Sequence, residues 1–380
     1  MKAPGPAAVA CLLAVACAGT LAATGADPAP APAAWAERLQ LELAALDGPG
    51  RARVGVYVRD LETGVSASHH ADQRWYLASM VKLPVAIAVL RGIESGQFAF
   101  DTTLTLRASD YVDGAGLTNG RSVGTPLSIR HLLEQMIIYS DNTATDMLIG
   151  LVGLAKVNAL VESLVPEGFQ RITGLAEIRR RIYGQLVPNA DRLAGVDLLL
   201  LRSARSDAER LLFLARLVDA PPGQHRLPTV DAAYDAYYAG GLNSGRLDAY
   251  GELLALLADG KALTPGYTDY LLELLERVAT GTHRLKAGLP PDTRFAHKTG
   301  TQRRRVCDAG LVRWLEDGRQ RRVAIVACTR DARSLDRAES TLMQVGSAVC
   351  RSGLLTHGVT DAATCRHGTG TDRQPAAPRR

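Results

Sequence analysis

The chain has 380 residues, 47% of them hydrophobic, 22% charged and 5% aromatic, a composition that excludes a disordered chain and a collagen-like repeat and leaves room for one large domain or two smaller ones. The net charge of +5 comes from 44 basic and 39 acidic residues, and part of the surplus is local: after Cys365, Arg366, Arg373, Arg379 and Arg380 stand against a lone Asp372. Such a balance demands no nucleic-acid or membrane-surface partner, and none is expected.

The chain opens Met1-Lys2, runs through small apolar residues from 7 to about 23, and enters a Pro/Ala-rich stretch. This pattern predicts a signal peptide over 1–26 and a spacer over 27–34, and hence an exported protein, periplasmic or secreted. Gly and Thr break the apolar stretch, and no later segment reaches the roughly 18 to 20 apolar residues a spanning helix needs, so no transmembrane segment is expected. An N-terminal anchor is the alternative reading, because Ala14-Val15-Ala16-Cys17 loosely resembles a lipoprotein cleavage box without its usual Leu.

Next, 35–46 has helical apolar spacing (Trp35, Leu39, Leu41, Leu43, Leu46), ended by Asp47-Gly-Pro-Gly50. Residues 54–59 and 65–68 alternate as strands around Glu62-Thr-Gly64. A helix is predicted from 79 to about 94, and from there to Pro290 the periodic segments are helical: 126–138, 143–152, 154–164, 207–218, 247–259 and 264–278. Strands return at 294–301, 306–315 and 321–328, and 336–351 reads as a closing helix. The order predicts an α/β (α+β) chain in which an all-helical domain, 93–290, is inserted into a sheet domain built from 35–92 and 291–355. An extended loop over 174–243 and a flexible tail over 356–380 complete this division. Active sites favour the junction of two such domains.

Cys11 and Cys17 fall in the signal, which leaves Cys307, Cys328, Cys350 and Cys365, an even number that suits an oxidising compartment. Between the last two strands, Asp317-Gly318 is a two-residue hairpin signal. If Glu316 faces Arg319, opposed residues sum to 635 and Cys307 faces Cys328. That pair occupies a non-hydrogen-bonded site, where α-carbons are close enough for a disulfide. A bulge would shift the register and leave two buried thiols. Cys350 and Cys365 could tie the last helix to the tail.

Three short motifs carry chemistry. Ser79-Met-Val-Lys82 opens an apolar helix, so hydroxyl and amine share one face a turn apart, near the positive end of the helix dipole. That arrangement sets a nucleophile beside a base, and the following Leu83-Pro-Val-Ala-Ile87 would favour a neutral amine. Alone, an S-x-x-K motif is expected about once by chance in a chain this long. Ser140-Asp141-Asn142 interrupts two helical segments and Lys298-Thr299-Gly300-Thr301 ends a strand, and each tripeptide has a chance expectation of roughly 0.1 or less.

In this order the set S-x-x-K, S-D-N, K-T-G resembles the penicillin-recognising serine hydrolases, the class A β-lactamases and penicillin-binding proteins, over nearly the whole chain from about 35 to 353. The resemblance implies an antiparallel sheet flanked by N- and C-terminal helices, a monomer, and a small-molecule β-lactam or a peptidoglycan stem peptide as the partner. It also implies roles. Ser79 attacks the carbonyl of a β-lactam or D-alanyl peptide and loses its proton to Lys82. Backbone N–H groups of Ser79 and Thr301 form the oxyanion hole. Ser140 passes a proton to the leaving nitrogen, with Lys298 holding its hydroxyl. Asn142 holds Lys82 and the substrate amide, Thr299 and Thr301 bond the substrate carboxylate, and Gly300 lets the substrate lie along the strand. Asp141 is read as structural, bonding nearby backbone N–H groups.

Two positions depart from the class A pattern. The deacylating base of that class is a glutamate on a loop after the second motif, and Glu177 lies 37 residues past Ser140. The competing reading is an exposed glutamate beside a basic helix face, since Ile178-Arg-Arg-Arg-Ile182 looks helical. Where many class A enzymes carry a carboxylate-binding arginine, the chain has Cys307-Asp-Ala-Gly310, so that role falls to Arg305 or to no residue, and Arg303-Arg-Arg305 reads as a solvated turn. No metal or other cofactor is expected: His69 and His70, adjacent in a strand, should point to opposite faces, and no histidine pair has i, i+4 spacing. His297 should point away from Lys298.

The resulting expectation is an active-site serine hydrolase of class A type, a β-lactam hydrolase acylated at Ser79, with two alternatives. One is a D,D-peptidase-like penicillin-binding protein with slow deacylation, and the other a β-lactam-binding sensor.

Overall fold

The computed structural model describes residues 1–2, 34–48, 51–220, 225–356 and 365. Residues 33–380 group as one compact unit apart from 1–32, and the fold is that of the former. Apart from Met1, Lys2, Ala34, Thr356 and Cys365, the expected signal peptide, spacer and tail lie outside the described residues.

Buried runs of small and β-branched apolar residues, closed by polar ones at their ends, form a five-stranded antiparallel sheet that is covered on both faces. Its strands are β1 (Arg53–Asp60), β2 (Ser66–His69), β3 (Arg294–Gln302), β4 (Arg305–Glu316) and β5 (Arg319–Arg330), in spatial order β2-β1-β5-β4-β3. The early and late parts of the chain are joined where β1 pairs with β5, from Arg53 opposite Arg330 to Asp60 opposite Val323. In the β4–β5 hairpin Glu316 faces Arg319 and Cys307 faces Cys328, and the two cysteines form a disulfide with α-carbons 4.0 Å apart. Asp317 (φ 49°) and Gly318 (φ 75°) take the two left-handed positions that a type I′ turn requires. A second disulfide joins Cys350 to Cys365.

One face of the sheet is covered by α1 (Ala34–Ala44) and α5 (Leu335–Arg351). Leu39 and Leu43 of α1 meet Ala338, Leu342, Val345 and Val349 of α5, residues at helical spacing, over Val54, Val56 and Val58 of β1. The other face carries the helical region around α2 (Lys82–Glu94), in which 11 of 13 residues are buried, so that α2 is a core helix rather than an amphipathic one. A turn of 3-10 helix, Ala78–Val81, leads into it, so Ser79 sits in tight i→i+3 geometry instead of the α-helix expected from 79.

The segment read as an extended loop, 174–243, is built from helices: Leu175–Gly184 (called α4, after α3 at Asn142–Val152), Gly195–Ser203, Asp207–Leu217 and Val230–Ala239. Of these, Asp207–Leu217 matches the helix expected at 207–218 and 178–182 already looks helical in sequence, while the short length and mixed composition of the other two hide their period. Ser206 and Thr229 cap two of them through their side-chain oxygens. Among the described residues no single helix is long and apolar enough to cross a membrane.

Candidate active site

Burial of α2 brings its N-terminal turn to the middle of the molecule, against β3 and the start of α3. Ala78 has φ 49°, left-handed for a residue with a β-carbon, and Ser140 has φ 58°. Conformations of this kind persist where surrounding packing holds them and cluster at functional sites. Gly300 explains the close approach of β3: a β-carbon there would lie 2.4 Å from the Leu77 carbonyl oxygen and 3.2 Å from the Ala78 β-carbon. The backbone of the third motif therefore runs directly beside the residues that lead to Ser79.

Two buried lysines converge on one hydroxyl. Lys82 Nζ donates to Ser140 Oγ at 3.2 Å, to Asn142 Oδ1 at 2.8 Å and to the Ser140 carbonyl oxygen, while Lys298 Nζ donates to Ser140 Oγ at 3.0 Å. Lys82, Lys298, Ser140 and Asn142 are all buried, whereas Ser79 is half-buried and its hydroxyl makes no hydrogen bond among the described residues. Burial lowers Lys82 to about 7; Asp141 and Asp146 oppose the shift and the Arg179 guanidinium adds to it. Lys298 is held well below its ordinary value, by burial first and then by the charges of Lys82 and Arg284. An amine that is half neutral near pH 7 and one turn from a free hydroxyl can take a proton from it.

Asp141 is the N-cap of α3, accepting from Ala144 N at 2.8 Å and from Thr118 N at 2.7 Å, the structural role read from its position. It fixes the second motif, and Asn142 Nδ2 is anchored on the Asp113 carbonyl oxygen at 2.6 Å. In the third motif, Thr299 Oγ1 lies 2.6 Å from Thr280 Oγ1, and Thr301 Oγ1 accepts from Arg284 Nη2 at 2.7 Å. Arg284 is 3% exposed and also donates to the carbonyl oxygens of Gly300 (3.1 Å) and Cys307 (2.9 Å), with Glu339 balancing it at 3.1 Å. Sequence reasoning misses it, because a lone Arg ten residues before a strand carries no periodic or motif signal.

Glu177 is placed differently from its companions. It lies in the first turn of α4, with Arg181 at 2.6 Å and Arg171 at 3.6 Å, and opens onto a polar cavity of about 630 Å³ lined by Arg180, Arg181, Asn189, Asp191 and Arg226. Residues 177 and 181 share one helix face, and 179 projects some 200° away from 177. Arg179 accordingly turns inward, ion-paired to Asp113 at 2.5 Å, and its charge reaches Lys82. Asp146, half-buried, accepts from Leu175 N and Ala176 N at 2.7 and 2.8 Å and so pins the start of α4. The arginine run 303–305 is neither a solvated turn nor a cleft patch: Arg303 pairs with Asp207 and Asp231, Arg304 with Asp235 and Asp331, and Arg305 with Asp331 while lying over the Tyr238 ring. It clamps the helices of 207–239 to the β3–β4 turn. His297 turns from Lys298 to Asp308, at 2.8 Å.

The family model described as the β-lactamase enzyme family matches residues 38–352. The chain belongs to the β-lactamase enzyme family. Among curated relatives, this family member is 35% identical to β-lactamase L2 of Stenotrophomonas maltophilia over 131 residues, 34% of this chain and 43% of the relative. It is 29% identical to β-lactamase AST-1 of Nocardia asteroides over 258 residues, 68% and 66% of the two chains. The match thus spans less than two thirds of either relative. Two solved structures share its fold. One is a point mutant of the class A β-lactamase of the last common ancestor of Gram-negative bacteria (TM-score 0.62, 24% identity, 84% of this chain and 99% of that one). The other is a point mutant of PBP-A in an acyl-enzyme complex with penicillin G (TM-score 0.60, 22% identity, 82% and 94%).

Proposed function

We propose that the chain is an active-site serine hydrolase that is acylated by β-lactams and hydrolyses their amide bond. The observation that carries this reading is the chain Lys82–Ser140–Lys298, with Ser79 in the turn that leads directly into Lys82. Ser79 Oγ attacks the lactam carbonyl as its proton passes to Lys82, and backbone N–H groups of Ser79 and Thr301 hold the developing oxyanion. The C–N bond then breaks, Ser140 protonates the leaving nitrogen, and Lys82 returns a proton to Ser140. Asn142 orients the substrate amide. Gly300 admits the substrate alongside β3, and Lys298, Thr299 and Thr301, with Arg284 behind them, supply positive potential and hydrogen bonds for its carboxylate. Water hydrolyses the acyl ester in the last step, with Glu177 the sequence candidate for activating it.

A second reading, a D,D-peptidase-like penicillin-binding protein acting on peptidoglycan stem peptides, is favoured by one observation. The Glu177 carboxylate is held by Arg181 and Arg171, while Arg179 occupies the inward face of α4. The proposal extends to export of a monomer after loss of 1–26, supported by two disulfides that need an oxidising compartment. It also retains the division into a sheet domain and an inserted helical domain, with the site between them.

Turnover of a chromogenic cephalosporin by wild type and by the Glu177→Gln variant separates the two readings. Many turnovers per protein, lost with trapped adduct in Glu177→Gln, support the hydrolase with Glu177 as base. Many turnovers in both remove Glu177 from the mechanism, and a stoichiometric adduct without turnover supports the peptidase.

A further inference from the structure

Two adjacent histidines of an extended strand should face opposite ways, which argues against a shared ligand. The structure overturns that expectation for His69 and His70. Strand β2 ends at His69, and His70 has φ 51°, a left-handed turn that swings its ring back to the side of its neighbour, leaving the ring centroids 4.1 Å apart. Its backbone is held there: the Trp75 indole N–H donates to the His70 carbonyl oxygen at 2.9 Å, and Arg330 lies over the Trp75 ring. Both rings then face Asp47, in the turn that follows α1. His69 Nε2 lies 2.7 Å and His70 Nδ1 3.5 Å from the same oxygen, Asp47 Oδ2, and one ligand atom from each residue falls within 4.8 Å of the others.

We propose that Asp47, His69 and His70 bind a divalent transition-metal ion of the zinc class, which fastens the end of α1 to the β1–β2 hairpin. Ligand atoms about 2.0–2.1 Å from a tetrahedral zinc are roughly 3.3–3.5 Å from one another. The His70–Asp47 separation already has that value, and the His69–Asp47 contact needs to open by less than about 1 Å. Two imidazoles with one carboxylate suit zinc, nickel or copper and not magnesium or calcium, which take mostly oxygen ligands. The three side chains are 18–33% exposed, so water can complete the coordination from outside. His70 Nδ1 is also 3.2 Å from the Val54 carbonyl oxygen. Without metal an Nδ1–H donates to that carbonyl; metal binding moves the ring proton to Nε2 and frees the Nδ1 lone pair. No redox step is involved. None of the three residues bonds to Ser79, Lys82, Ser140 or Lys298, so the ion would strengthen the fold rather than take part in acyl transfer.

The test is titration of chelator-treated full chain with zinc chloride by calorimetry, together with thermal denaturation followed by circular dichroism. One equivalent of zinc should bind saturably, raise the melting temperature in a concentration-dependent way, and not be displaced by a large excess of magnesium. His70→Gln should weaken binding by more than the roughly 10–100-fold that loss of an outer-shell partner costs. Asp47→Asn should weaken it too, with an unchanged far-ultraviolet spectrum showing that both variants fold. No saturable binding to wild type would overturn the proposal. So would zinc binding that persists undiminished in the His69→Gln/His70→Gln double variant, which would place the ion on other histidines of the chain.

Discussion

Lys82 is fully enclosed by protein, and its amine shares its hydrogen bonds with Ser140 and Asn142. A cation is costly in that setting, which is why it titrates at about 7 and why Arg179, a second cation, lowers it further. Because the neutral amine is the base, acylation by a penicillin should rise with pH and level off above about 7, measured by stopped-flow from about pH 5 to 9. Removing the neighbouring charge should move that limb upward. The Arg179→Met/Asp113→Asn double variant, which leaves no unpaired buried charge, is the clean form of the experiment, and an unshifted limb would refute the coupling. At Gly300 the prediction is steric: Gly300→Ala must push β3 away from Leu77 and Ala78. A displacement near 1 Å can cost about 100-fold, so the acylation rate should fall by about that factor, and, because the clash is with a backbone carbonyl, the melting temperature should fall as well. The three motifs were legible in the sequence because their residue types and order are rare together. Arg284 and Arg179 were not, because an arginine held inside the fold is identified by the carbonyls and carboxylates that surround it, and those come from distant parts of the chain.

At the level of elements, the β4–β5 hairpin was the most readable part. Asp317-Gly318 dictates a two-residue turn, the turn dictates the register, and the register places Cys307 opposite Cys328. Closing a loop of 21 residues should contribute about 3 kcal/mol. Cys307→Ala/Cys328→Ala should therefore lower the melting temperature by several degrees, and, since Cys307 neighbours Gly300 across β3–β4, slow acylation as well. An unchanged melting temperature would mean that the bridge constrains nothing. Within 174–243, the helix at 207–217 was readable and 178–182 looked helical, but the stretch as a whole read as a loop because its helices are short and its apolar stripes are interrupted by arginines that turn out to be paired, such as Arg179 with Asp113. The alternation rule failed at His70 for a reason local sequence does not carry: one left-handed residue, held by Trp75, reverses a side chain at the end of a strand.

Over the whole molecule, the order of α/β, helical and α/β segments was legible from changes in period, and β1–β5 pairing is the contact that turns that order into one sheet. The sheet presents the third motif, α2 presents the first, and the start of α3 presents the second, so that segments as far apart in the chain as Ser140 and Lys298, 158 residues, meet at one hydroxyl. The central claim is that this meeting makes Ser79 a nucleophile. Penicillin-treated protein, digested with trypsin and mapped by mass spectrometry, tests it most directly. One adduct per chain is expected on the peptide containing Ser79, and none in Ser79→Ala; an adduct on another residue, or on the variant as readily as on the wild type, would refute the assignment.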